Sequence, residues 1–149
     1  MSVSNSFSVK LDLLENYIFK VDFGDFGDLI TDEAPPLGQG EGPNPSRMLA
    51  AAVGNCLCAS LLFALRKHKD NPGAVSAEVN GTLERQEGRW RIGNIQVRLQ
   101  VENAEALEHL PKALEQFEDF CIVTQSVRQG IPVQVEVVDQ NGNALTPNA

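Results

Sequence analysis

The sequence predicts an α+β fold in which antiparallel β-sheets pack around one long apolar helix. Residues 48–65 carry no formal charge, which is typical of a helix that is covered on all sides. Segments of alternating apolar and polar residues come in pairs, as in β-hairpins, and the helices do not alternate with strands as βαβ units. At 149 residues the chain suits a single domain over residues 1–149, without an interdomain linker.

Strands are predicted in the first third of the chain. Residues 16–23 alternate apolar with polar side chains, although Ile18 breaks the pattern. Residues 8–12 alternate more weakly, and residues 28–31 suggest a short further strand. Residues 34–45 are rich in Pro and Gly, which a helix interior and a central strand both exclude, so a loop is predicted there.

The long helix is predicted to begin after Asn44 and to end near Lys69. Asn44 suits an N-cap and Pro45 the first helical position, and basic residues complement the negative C-terminal end. The uncharged stretch, residues 48–65, is nearly long enough to cross a bilayer, and this alternative stays open. Its many small residues and a central Asn55 favour the core of a soluble protein instead.

The second half of the chain predicts a hairpin, a helix and a last strand. Residues 74–86 and 90–101 alternate well and are joined by a short turn. Residues 104–120 have leucines at helical spacing and acidic residues outward, which predicts an amphipathic helix. Residues 131–138 predict a final strand, and residues 139–149 look like a polar tail.

The acidic composition excludes some partners. The net charge is −8, and such a surface repels both phosphate backbones and anionic lipids, so neither nucleic acid nor a membrane surface is an expected partner. Residues 1–10 lack the pattern of a secretory signal, and an odd cysteine count of 3 argues against a disulfide framework, so the cytoplasm is the expected location. His68 and His109 are isolated in sequence, so no metal site is expected.

Two of the cysteines stand in distinctive surroundings. Cys56 lies within the long helix, shortly after the sequence Gly-Pro-Asn-Pro of residues 42–45. Cys121 follows the amphipathic helix, and residues 121–128 predict a turn or a short helix. Cys58 is rotated from Cys56 by about 200° on a helix, so we expect it to pack in the core and not to share a site with Cys56.

This combination of loop, long helix and paired cysteines resembles the OsmC/Ohr family over residues 17–138. Those proteins have a Gly/Pro-rich loop with Asn-Pro, an Ala-rich helix with a cysteine at this spacing, and a second cysteine in a Cys-Pro-Val-Ser-like turn. The resemblance implies an intertwined homodimer, and the small residues 50–54 favour close helix contact independently.

The resemblance also implies thiol-dependent reduction of organic hydroperoxides without a cofactor. By position, Cys56 matches the cysteine that attacks the peroxide and becomes a sulfenic acid. Cys121 matches the resolving cysteine, which condenses with it to a disulfide that an external dithiol reduces.

The chain departs from the family pattern at the activating residues. The hydroperoxide reductases have a glutamate directly after Asn-Pro, where this chain has Ser46, and the arginine that it holds has no counterpart before Arg47. Lys20, Arg128 or a second subunit are the remaining sources of positive charge. Without a cation, burial should raise the pKa of Cys56. The second hypothesis is therefore a non-catalytic member that binds a small apolar ligand.

Overall fold

A computed structural model describes residues 5–145, and it has the predicted α+β architecture. The N-terminal strands β1 (Lys10–Glu15), β2 (Ile18–Asp22) and β3 (Asp28–Thr31) form an antiparallel sheet in that order. β2 begins two residues later than its alternation predicts, because Asn16 adopts a left-handed φ of 50° and turns the chain. Every residue of β1 is exposed.

The loop between β3 and the long helix is held by one buried carboxylate. Asp32 is 2% exposed. It accepts hydrogen bonds from the backbone N–H groups of Glu33 at 2.7 Å and of Gln39 and Glu41 at 3.1 Å. Gly38 lies so close that an added Cβ would be 2.3 Å from the carbonyl oxygen of Glu33. A Pro- and Gly-rich segment is thus a defined loop, which confirms the prediction for residues 34–45.

The central helix α1 (Pro45–Lys67) begins as predicted and ends two residues early. Asn44 is its N-cap, and its side chain accepts from the Arg47 N–H at 3.0 Å. α1 is long and apolar enough to cross a membrane by length and composition. Of its most apolar stretch, 39% is buried inside the chain. Within this chain the helix is therefore covered on one face only: Phe63, for example, is 56% exposed.

The hairpin of β4 (Val75–Gln86) and β5 (Arg89–Val101) covers part of α1. The two strands pair antiparallel, from Val75 opposite Val101 to Gln86 opposite Arg89. The helix approaches the hairpin closely at Gly54, where an added Cβ would lie 2.6 Å from Val79 Cγ2. The predicted hairpin is confirmed, and it packs on the buried face of α1.

The predicted helix over residues 104–120 is wrong as a single element. The structure has a 3-10 turn at Ala104–Ala106, then α2 (Leu110–Gln116), then a second 3-10 turn at Phe117–Phe120. Pro111 explains the break, because it has no N–H to donate to the preceding turn and disfavours helical backbone in the residue before it. The short helix α3 (Ile122–Gln129) follows. The sequence predicted a turn or a short helix there, and the structure has the helix.

The predicted last strand does not form within this chain. Residues 131–138 have no ladder partner among residues 5–145, and only Val138 makes an isolated bridge, to Ala144. Val133 and Val135 are 81% and 82% exposed. The tail predicted over residues 139–149 contains a turn in which the Asp139 carboxylate accepts hydrogen bonds from two backbone N–H groups at 2.9 Å. Residues 146–149 of this tail lie outside the described residues.

The core lies between α1, the hairpin and the C-terminal helices. Its buried members are Val53, Leu57, Leu61, Ala64, Leu65, Leu107, Ala113, Phe117 and Cys121.

Candidate functional site

Cys121 is the residue around which the candidate site is built. It is the N-cap residue of α3 and is 0% exposed. Its thiol donates to Thr124 Oγ1 at 3.0 Å, and the hydroxyl can reverse this bond by donating to a thiolate. The backbone N–H of Cys121 bonds to the Glu118 carbonyl at 3.1 Å, so the 3-10 turn before α3 fixes its position.

Cys56 reaches this position from α1. Cys56 is half-buried, and its thiol lies near enough to the thiol of Cys121 to affect its acidity. The Ser60 hydroxyl, one helical turn further along α1, lies near both sulfur atoms, and the backbone of Val123 lies near Cys56. The structure therefore brings together the two cysteines that the sequence paired across the chain.

Cys58 does not join them. It is half-buried, and burial alone raises the pKa of its thiol, without a hydrogen bond from either of the other sulfur atoms. This agrees with the expectation that Cys58 lies on another side of α1 and packs there.

The two paired thiols differ in acidity. Burial raises the pKa of Cys56, and its hydrogen bond with Cys121 raises it further, as the sequence predicted for a site without a cation. Burial also acts to raise the pKa of Cys121, but hydrogen bonds from Cys56, Thr124 and Ser60 outweigh it, and the pKa is lowered. Sequence reasoning missed this lowered pKa, although Thr124, three residues after Cys121, was a usable signal.

Comparison with known proteins identifies the family of this chain. The family model described as OsmC-like protein matches residues 38–136. The chain belongs to the OsmC-like family. No curated protein sequence matches it.

The OsmC-like fold is also found in solved structures. The OsmC-like protein of Mycoplasma pneumoniae is 14% identical with a TM-score of 0.70, over 87% of this chain and 91% of the other. An organic hydroperoxide resistance protein of Elizabethkingia anophelis is 14% identical with a TM-score of 0.65, over 86% and 93%. An OsmC-like protein of unknown function from Vibrio cholerae is 14% identical with a TM-score of 0.67, over 83% and 94%.

At these identities the solved structures show the shared fold, and they include both hydroperoxide resistance proteins and a member of unknown function. The OsmC-like fold is a soluble one, which favours the core-helix interpretation of residues 48–65 over a membrane span.

None of the cations considered from the sequence reaches the thiols of this OsmC-like chain. Arg128 forms an ion pair with Glu118 at 2.6 Å. Arg47 and its neighbour Ser46 line a separate cavity of about 320 Å³ at the start of α1. Lys20 is on β2, paired with Asp12 and Ile30 of the neighbouring strands. The pKa shifts of the two thiols come from burial, hydrogen bonds and, for Cys56, the charge of Cys121, and no cation of residues 5–145 is among these causes.

The histidines, expected to be isolated, are neighbours in space. The rings of His68 and His109 stack with centroids 5.2 Å apart and planes at 11°. The backbone N–H of His109 donates to Asp70 Oδ2 at 2.7 Å, which ties the start of α2 to the end of α1. Within residues 5–145 no group of three or more His, Cys, Asp or Glu side chains could hold a metal ion.

A cavity of about 470 Å³, which the sequence did not predict, is lined in part by Thr124, the hydrogen-bond partner of Cys121, and by Leu57, which follows Cys56 in α1. Apolar side chains of α1, β5 and α3 form most of its wall, Thr124 touches it, and the Glu118–Arg128 ion pair lies at its edge. Its apolar lining residues include Leu49, Val53, Leu57, Ile95, Val97, Leu99, Phe117 and Val127.

Proposed function

We propose that this OsmC-like protein reduces organic hydroperoxides through Cys56 and Cys121. The observation that carries the proposal is the proximity of the two thiols, which brings α1 together with the start of α3. A two-cysteine cycle needs two sulfur atoms that can form a disulfide without large backbone movement. Membership of a family whose solved folds include hydroperoxide resistance proteins supports the same activity.

The exposure of the two cysteines in one chain supports a division of roles between them. Cys56 is half-buried and Cys121 is fully buried, so a peroxide reaches Cys56 first. The sulfur of Cys56 attacks the outer peroxide oxygen and becomes a sulfenic acid while the alcohol leaves. Cys121 then attacks the sulfenic sulfur, a disulfide forms, and the sulfenic oxygen leaves as hydroxide or water. An external dithiol returns the pair to its reduced form, which fits the cytoplasm.

The functional unit of this proposal is a homodimer. One chain leaves an apolar face of α1 open, and it leaves residues 131–138 extended without a partner strand. Alternating valines at more than 80% exposure, such as Val133 and Val135, are costly in water. A second copy that pairs with this segment and covers α1 would remove both defects.

A non-catalytic member that binds a small apolar ligand is the second candidate. The raised pKa of Cys56 and the apolar cavity beside Thr124 favour it. Thiol loss separates the two functions. Reduced Cys58→Ser protein is mixed with cumene hydroperoxide, with Cys56→Ser/Cys58→Ser as the matched control.

The peroxidase function predicts that two thiols are lost for each peroxide, with a Cys56–Cys121 disulfide identified by peptide mapping. Loss no faster than that of a free thiol, and equal in the control, would support the ligand-binding function instead.

A further inference from the structure

We propose that the cavity lined by Thr124 binds an amphipathic ligand with an apolar chain and a neutral polar head, and that the head carries one hydrogen-bond donor and one acceptor, as a carboxamide does. The ion pair of Glu118 and Arg128 holds this head and discriminates against carboxylate and ammonium heads. The inference names the substrate class of the proposed function, and only the hydroperoxide group on the ligand rests on that function.

The walls of the cavity favour an apolar chain. Its volume of about 470 Å³ falls within the range of pockets that hold small molecules, roughly 300–1,000 Å³. Three elements supply apolar side chains to the wall: α1 contributes Leu57, β5 contributes Val97 and α3 contributes Val127. An alkyl chain in this cavity removes apolar surface of both the ligand and the wall from water, which is the main favourable contribution to its binding.

The mouth of the cavity carries its charged groups. Of the described residues, Glu118 and Arg128 are the two charged ones in the lining. Arg128 Nη2 donates to Glu118 Oε1 at 2.6 Å, and the side chains of Arg128 and Glu118 are 54% and 45% exposed. This bond uses one guanidinium nitrogen and one carboxylate oxygen. Glu118 Oε2 can therefore accept a further hydrogen bond, and the other N–H groups of Arg128 can donate.

The balance of charge at the mouth selects the head of the ligand. A carboxylate head that approaches Arg128 also meets the like charge of Glu118, and an ammonium head at Glu118 meets that of Arg128. A carboxamide can donate to Glu118 and accept from Arg128 without either repulsion. The remaining polar side chains of the lining, Asn94 and Thr124, are neutral. The net charge of −8 adds a general repulsion of anions.

Thr124 and Arg128 set the direction of the ligand. They are four residues apart on α3, so they share one face of the helix and are separated by about 6 Å along its axis. Thr124 Oγ1 accepts from the Cys121 thiol at 3.0 Å. A head at Arg128 leaves the chain to extend toward Thr124 and Cys121. An apolar hydroperoxide with a separate neutral head is therefore the substrate class that fits this cavity.

The experiment compares three probes that differ only in the head: octanamide, octanoate and octylammonium. Isothermal titration calorimetry on reduced Cys58→Ser protein at pH 7 and low salt gives the Kd of each. Octanamide is expected to bind about fivefold more tightly than either charged probe, the scale of interactions between half-exposed charges. Equal affinities would show that the cavity accepts the chain whatever its head. That result, tighter binding of a charged probe, or binding of none of the three overturns the proposal.

Charge-neutralising variants test the ion pair itself. Glu118→Gln leaves Arg128 without its partner and should move the preference toward octanoate by about fivefold, whereas Arg128→Gln should move it toward octylammonium by a similar factor. Glu115→Gln is the matched control, because it makes the same change at an exposed residue outside the cavity lining. A shift of the same size in Glu115→Gln and Glu118→Gln would reject the selection by the ion pair.

A cavity-filling variant tests the location of the ligand. Val127→Phe adds a larger side chain to the wall and should abolish octanamide binding, whereas undiminished binding would place the probe elsewhere and overturn the proposal. Binding needs neither peroxide nor thiol chemistry, so the two proposals fail separately. Head-selective octanamide binding by a protein that does not reduce peroxide would retain the cavity and reject the peroxidase. Peroxide reduction without octanamide binding would do the reverse.

Discussion

The sulfur of Cys121 lies 3.0 Å from Thr124 Oγ1 at the start of α3, where both of these residues are buried. Hydrogen bonds to a thiolate favour its charged form, and in a site of low dielectric they are stronger than in water. This contact therefore offers a way to stabilise negative charge in a chain that has Ser46 in place of the activating glutamate.

Thr124→Val should raise the pKa of Cys121. A hydrogen bond to a charged group contributes about 1.5–3 kcal/mol, which corresponds to roughly one to two pKa units. Thiolate absorbance near 240 nm, titrated in a Cys56→Ser/Cys58→Ser background, reports Cys121 alone. Thr124→Ser keeps the hydroxyl and should restore most of the shift. If valine and threonine gave the same midpoint, the hydroxyl would have no part in the acidity of Cys121.

Cys56 without its partner should alkylate as a thiol of raised pKa. In a Cys121→Ser/Cys58→Ser background burial still raises the pKa of Cys56. The midpoint of iodoacetamide labelling between pH 5 and 10 is therefore expected above the ordinary value of about 8.5. Labelling should be slow at pH 7 and rise with pH as the thiol ionises. A midpoint below 7 would reveal a cation near Cys56, for instance from a second subunit.

The features that sequence reasoning predicted correctly are local or carried by a motif. The start of α1 follows from Asn44 and Pro45, whose backbone preferences act without tertiary contacts. The hairpin of β4 and β5 follows from alternation around a short turn. The pairing of Cys56 with Cys121 came from the motif spacing of the family and not from local physics.

What the sequence missed depends on distance in space or on a neglected residue. The stacking of His68 on His109 joins residues far apart in the chain, which no local pattern shows. The acidity of Cys121 depends on Ser60 from α1 and on burial, neither of which spacing measures. The break in the helix predicted over residues 104–120 was visible in principle at Pro111, where the leucine periodicity outweighed the proline.

Asp32→Asn should destabilise the loop before α1 in a pH-dependent way. Three backbone N–H groups donate to this carboxylate and lower its pKa, with that of Glu41 contributing most. A lowered folded-state pKa stabilises the fold above the unfolded value of about 3.9, and this contribution is lost as pH falls through the folded pKa. Thermal melts should show a Tm several degrees lower for Asp32→Asn at pH 7, and the difference should shrink below about pH 4. The exposed Asp25→Asn is the control, and an equal Tm change in both would exclude the loop contacts as the cause.

The exposed valines of residues 131–138 give the most direct test of the homodimer. A lysine on a surface that stays in water costs little, whereas a lysine in a covered apolar contact leaves a charge buried without a partner. Val133→Lys should therefore lower the dimer fraction in light scattering at micromolar concentration and lower Tm. Gln134→Lys introduces the same charge at an adjacent exposed residue, whose side chain points to the other side of an extended segment, and should leave both measurements nearly unchanged. If the parent protein has a monomeric mass and both variants melt alike, residues 131–138 are a free segment, and the homodimer proposal fails.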